Sequence, residues 1–142
     1  MPYILKQKLR LQDLMPAHPS TYRVLIHEPE DYLSAIYGNY LIMHEFEVKH
    51  CPNLLEVKNS ARDFSPAVLV FNLDSAQPPQ AKLSWLGCFK KEFPHVWVVT
   101  TGYSLETDIL KRLMHLGVIS HLNRQLSRPQ DLATIIKSIL QI

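Results

Sequence analysis

The spacing of apolar residues changes repeatedly along this chain. Short, largely β-branched runs alternate with stretches in which apolar positions recur every three or four residues. Val24-Leu25-Ile26 has the first pattern and predicts a strand buried on both faces. Glu28-Pro29-Glu30-Asp31 follows, with proline and acids suited to the first turn of a helix. Leu33, Ile36, Tyr37, Tyr40 and Leu41 then form one helical stripe. Phe46 to His50 alternates as a second strand, and Leu54, Val57, Ala61 and Phe64 give a weaker helical stripe. Pro66 opens a third strand running to Asn72, and Ser75 to Gln80 is a proline-containing loop. Leu83, Leu86, Phe89 and Phe93 predict a third helix.

Val96 to Val99 is a fourth strand, closed by Thr100-Thr101-Gly102. Ser104 is placed to cap a fourth helix carrying Leu105, Ile109, Leu113 and Leu116 inward, and Gly117 suits its end. Val118 to Leu122 is a fifth strand. Pro129 begins a last helix with Leu132, Ile135, Ile136, Ile139 and Leu140 on one face. Strand and helix in strict alternation predict an α/β fold with right-handed crossovers and a parallel sheet covered on both faces. The expected arrangement is the flavodoxin-like, doubly wound five-stranded sheet in the order 2-1-3-4-5.

Length and composition add limits. At 142 residues and 46% hydrophobic, the chain suits one domain with a full core. Residues 1–21 stand apart: they are basic and aliphatic and end in MPAHPS, which predicts an N-terminal arm or extension before a domain at 22–142. The sharper reading of that arm is a partner-binding element. Fifteen Lys and Arg against thirteen Asp and Glu give no electrostatic case for nucleic acid or a membrane surface. No apolar run reaches the roughly 20 residues of a membrane span, and no signal peptide is legible. Cys51 and Cys88 form neither a disulfide framework nor a metal motif, so a cytoplasmic location is expected. The seven histidines lack metal-ligand spacing.

The ends of the strands carry the candidate chemistry, because α/β folds place their sites beyond the carboxyl edge of the sheet. Residues 23–141 resemble the receiver domain of bacterial response regulators, the CheY-like family. The motifs are VLIHEPED at the first strand, SPAVLVFNLDSAQP at the third, VWVVTTGYSLETDILKRLMHLGV at the fourth and SHLNRQLSRPQDLATII at the end. The resemblance implies a site built from an aspartate that accepts a phosphoryl group, two acids that hold Mg²⁺, a hydroxyl that bonds the phosphoryl oxygen, and a lysine. The acceptor falls on Asn72, the acid pair on Glu28 and Pro29, the hydroxyl on Thr101 and the lysine on Arg124. A neutral amide forms no acyl phosphate, and proline offers no metal-binding side chain. The resemblance therefore implies a degenerate pseudo-receiver, with no cofactor and no catalytic residue.

Asp74 is the alternative acceptor. It lies two residues on, about 6.6–6.8 Å along an extended chain, which predicts that it stands away from Thr101 and Arg124. The expected network joins Asn72, Thr101 and Arg124, with Glu28 paired to Arg124. His121 falls on the family's switch-aromatic position. Tyr103, Ile109, Met114, His121 and Ile139 fall on or near the family's partner face, formed by the fourth helix, fifth strand and fifth helix.

The function that follows is a stand-alone, phosphorylation-independent protein-interaction module in bacterial signal transduction. Its expected partner is another protein: a kinase, a regulator or a second copy. The alternatives are a receiver phosphorylated through Asp74 or a rearranged Mg²⁺ site, and a flavodoxin-like small-molecule binder.

Overall fold

The structure is a computed structural model that describes residues 22–74 and 79–142. Expectations placed on the arm at 1–21 and on the loop at 75–78 lie outside the described residues. The elements follow one another as β1 (Arg23–His27), α1 (Asp31–Met43), β2 (Glu47–His50), α2 (Val57–Phe64), β3 (Val68–Asn72), α3 (Pro79–Glu92), β4 (Trp97–Gly102), α4 (Thr107–His115), β5 (Val118–Asn123) and α5 (Asp131–Leu140). A single 3₁₀ turn, Leu54–Glu56, leads into α2. The five strands are parallel in the order β2-β1-β3-β4-β5, the predicted flavodoxin-like arrangement.

The pleat divides the core into two layers. Leu25, Leu69, Phe71 and Val98 point to one face, where Val57 and Ala61 of α2, Leu83, Leu86 and Phe89 of α3 and Leu113 of α4 cover them. Val24, Ile26, Val68, Val70 and Val99 point to the other, against Leu33, Tyr37 and Leu41 of α1 and Leu132, Ala133 and Ile136 of α5. This is why β1 and β3 read as continuous apolar runs: a parallel strand covered by helices on both sides needs apolar residues at both parities. Phe71, Trp85, Phe89 and Phe93 stack in series through the first layer, with successive centroids 5.0, 5.3 and 4.7 Å apart.

Element boundaries differ from the sequence expectation in instructive places. The helix expected to start at Glu28 and Pro29 begins at Asp31, since Glu28 is drawn into the sheet edge. Thr100, Thr101 and Gly102 belong to β4 and do not close it; they pair with His121, Leu122 and Asn123 of β5. Ser104 is not the cap of α4. Its hydroxyl accepts a hydrogen bond from the Asn123 amide at 2.8 Å, and the helix starts three residues later with Glu106 at its N-cap. Gly117 does end α4, with φ +89.

Candidate functional site

The carboxyl edge of the sheet brings together the ends of β1, β3, β4 and β5. β1 and β3 run side by side in register, and Asn72 lies opposite Thr101 in the β3–β4 ladder. Glu28 follows directly on β1, and Arg124 directly on β5.

Asn72 is 2% exposed, and both ends of its amide are bonded. Its Nδ2 donates to Glu28 Oε1 at 2.8 Å, and its Oδ1 accepts from the Asp74 backbone N–H at 2.8 Å. The two bonds fix which end of the amide is which: the nitrogen must face the carboxylate and the oxygen the N–H. The other Glu28 oxygen accepts from the Glu30 N–H at 3.1 Å. Burial raises the Glu28 carboxyl above its ordinary range, and the donors from Glu30 and Asn72 pull it back. Glu28 is therefore an inward-facing carboxyl whose two oxygens accept from an amide and a backbone donor.

That arrangement corrects the expected pairing of Glu28 with Arg124. The Arg124 guanidinium instead reaches Asp74 Oδ2 at 3.2 Å and Glu30 Oε1 at 3.4 Å, and its carbon lies 5.0 Å from the Tyr103 ring centroid. Asp74 does not stand away from Arg124, as strand geometry predicted. β3 ends at Asn72, and the Asn72 side chain turns the backbone by binding the Asp74 N–H, the local Asx pattern. Asp74 Oδ1 then accepts from the Tyr103 N–H at 3.0 Å, so both carboxylate oxygens have partners. The Thr101 hydroxyl takes no part in the expected network; it is fully buried and has no partner among the described residues.

His121 ties the β4 end to β5. Its Nε2–H donates to the Tyr103 carbonyl at 2.9 Å, leaving Nδ1 to accept from the Thr100 hydroxyl at 2.9 Å. Tyr103 and Met114 are exposed, whereas Ile109 and Ile139 are half-buried and pack onto the core. Leu110 and Ile119 are also exposed. With Met114 and His121 they line a hollow of about 530 Å³ between α4 and β5. Neither was singled out from the sequence: Leu110 lies off the predicted inward stripe of the fourth helix, and Ile119 lies within the fifth strand.

Lys82 was also missed. It lies in the first turn of α3, is 1% exposed, and its Nζ donates to the Asn72 carbonyl at 2.5 Å and lies 5.0 Å from the Phe71 ring centroid. Burial pushes its ammonium down to about 8, against the opposing pull of Glu28 and Asp74. No sequence signal separates it from a solvated helix lysine.

No protein-family model matches the sequence, and no curated protein matches it. Solved structures do. A response regulator from Thermotoga maritima superposes with a TM-score of 0.74 at 16% identity, over 84% of this chain and 98% of that one. An orphan response regulator of H. pylori gives 0.74 at 14%, over 85% and 98%. A CheY-like receiver domain protein from Methanospirillum hungatei gives 0.73 at 15%, over 84% and 93%. The fold is that of response-regulator receiver domains.

The divalent cation that such a site implies does not fit the residues of this receiver fold. Pro29, next to Glu28, has no side-chain donor, and the face Asn72 presents to Glu28 is N–H, not oxygen. A lysine ammonium already occupies the Asn72 carbonyl. Among the described residues no group of three His, Cys, Asp or Glu is placed to hold a metal ion.

Proposed function

We propose that this chain is a pseudo-receiver: a receiver-fold module of two-component signalling that works through protein contact and carries no phosphoryl group at its strand-edge site. The observation that carries the reading is the buried Asn72 amide, which donates to Glu28 and accepts from Asp74, so the acceptor position is chemically inert and structurally committed. Acyl phosphate formation needs an ionised carboxylate with a free oxygen as nucleophile. The neighbouring Asp74 has both oxygens engaged, by Arg124 and by the Tyr103 N–H. The network resembles a constitutive clamp, in which Asp74, Arg124 and His121 hold the β4–α4 segment in one arrangement.

The partner is another protein, and the exposed Leu110, Met114 and Ile119 between α4 and β5 favour that face for the contact. A kinase, a regulator or a second copy would all be protein partners of this kind.

Incubation with a small-molecule phosphoryl donor and Mg²⁺, followed by intact-mass measurement under conditions that preserve acyl phosphates, tests the reading. The expected spectrum holds the unmodified mass alone. A phosphoryl adduct mapped to Asp74 would replace the pseudo-receiver with a receiver that has moved its acceptor by two residues.

A further inference from the structure

We propose that the Lys82 ammonium, held on the main-chain carbonyl of Asn72, is the built-in cation of this site and makes the strand edge indifferent to magnesium. The inference rests on the pseudo-receiver reading and extends it to a residue outside the family's site pattern.

Three observations carry it. The first is cost. A lysine 1% exposed loses its hydration, which disfavours the charged form. The first turn of a helix adds to that cost, because the amino end of the helix dipole is positive and repels an ammonium. A lysine placed there only to fill space would be replaced by leucine or methionine without loss.

The second is the set of groups that offset the cost. The Nζ donates to the main-chain carbonyl of Asn72, the very residue at the acceptor position, and the ammonium stands over the Phe71 ring. A carbonyl oxygen is the type of ligand that hard cations choose. Glu28 and Asp74 both favour the charged form of Lys82.

The third is charge balance at the edge. Among the described residues, the cations that act on Glu28, Glu30 and Asp74 are Arg124 and Lys82. Arg124 bonds the outer pair, Glu30 and Asp74, while Lys82 stands on the Asn72 main chain and feels Glu28 and Asp74 through space. With aspartate at position 72 the edge would hold a further negative charge, and one lysine would no longer balance it.

The test compares the full chain with Lys82→Met, close in length and uncharged, at pH 7, titrating Mn²⁺ at constant ionic strength. Paramagnetic broadening of the Leu73 and Tyr103 amide resonances is the readout. The wild-type amides should be unaffected at Mn²⁺ concentrations that broaden those of the variant. The affinity gain on removing one nearby positive charge should be about tenfold or more.

Mn²⁺ broadening of these amides in the wild type would overturn the assignment, as would a folded variant with no gain. Lys82→Gln is the second uncharged variant should Lys82→Met fail to fold. Should neither fold, broadening of these amides in the wild-type titration still refutes the assignment. No phosphoryl donor enters the experiment. Metal binding by the wild type would therefore sink the role of Lys82 and leave the reading of Asn72 standing, while a phosphoryl adduct would sink both.

Discussion

Asn72 and Lys82 meet at a single carbonyl, and the chemistry of the sheet edge follows from that contact. The amide side chain secures Glu28 and turns the chain at Asp74, and the main-chain oxygen of the same residue takes the lysine. Lys82 has a measurable consequence for stability. Its folded-state value is about 8, below the 10.5 of the unfolded chain. Between those values the unfolded state binds the extra proton, so the Lys82 contribution to stability grows as pH rises through the window and is lost as pH falls towards 8.

Denaturant unfolding of wild type and Lys82→Met from pH 7.5 to 10.5 isolates this term from the tyrosines, which titrate in both proteins. The stability difference should move in favour of wild type by on the order of 2 kcal/mol across the window. A flat difference would mean that the ammonium is better solvated than its burial indicates.

At this scale the sequence carried residue types better than contacts, and the departures from the family pattern are those the resemblance implies. Asn72, Pro29 and Arg124 were legible as departures from a pattern. Lys82 was not, because burial of a lysine depends on which helix face meets the end of β3, and that is set by tertiary packing. The Arg124–Asp74 bond was hidden for a related reason: strand geometry was extended past the point where the Asn72 side chain bends the chain.

At the scale of elements, the site depends on how β4 ends. Gly102 has φ +147, and a Cβ there would meet Asp74 Oδ1 at 2.5 Å. Any side chain is thus both strained and in collision with the carboxylate that holds Tyr103 and Arg124. Gly102→Ala should cost about 1–3 kcal/mol, from the strained backbone alone. It should also shift the Tyr103 amide resonance by displacing its acceptor. Denaturant unfolding and an amide correlation spectrum check both; unchanged stability with an unchanged Tyr103 signal would contradict the clamp.

The strands and helices themselves were legible because period 2 and period 3.6 alternate so regularly, and because β1 and β3 carry apolar residues at both parities. What escaped was the boundary chemistry. Ser104 has the right residue type for a cap, but its hydroxyl is taken by Asn123 from a strand that is distant in sequence, so no local rule would have placed it.

For the molecule as a whole, helices on both faces bury the sheet, and the carboxyl edge gathers groups from four strand ends into one ionic cluster. That convergence follows from the strand order, which the sequence predicted from its alternating pattern and its likeness to receivers. The face between α4 and β5 was expected from the likeness alone, and its exposed members, Leu110 and Ile119, emerge only once the packing of α4 is known. The central claim is that this fold keeps the receiver frame while its acceptor position offers no carboxylate to a phosphoryl group.

The most direct measurement is ¹⁹F NMR of the full chain with beryllium fluoride and Mg²⁺, since fluoroberyllate binds an ionised, accessible carboxylate as a phosphoryl group would. The account predicts signals of free fluoroberyllate only, with the amide spectrum unchanged. Slowly exchanging bound fluorine signals, accompanied by shifts at Asp74 and Thr101, would contradict it.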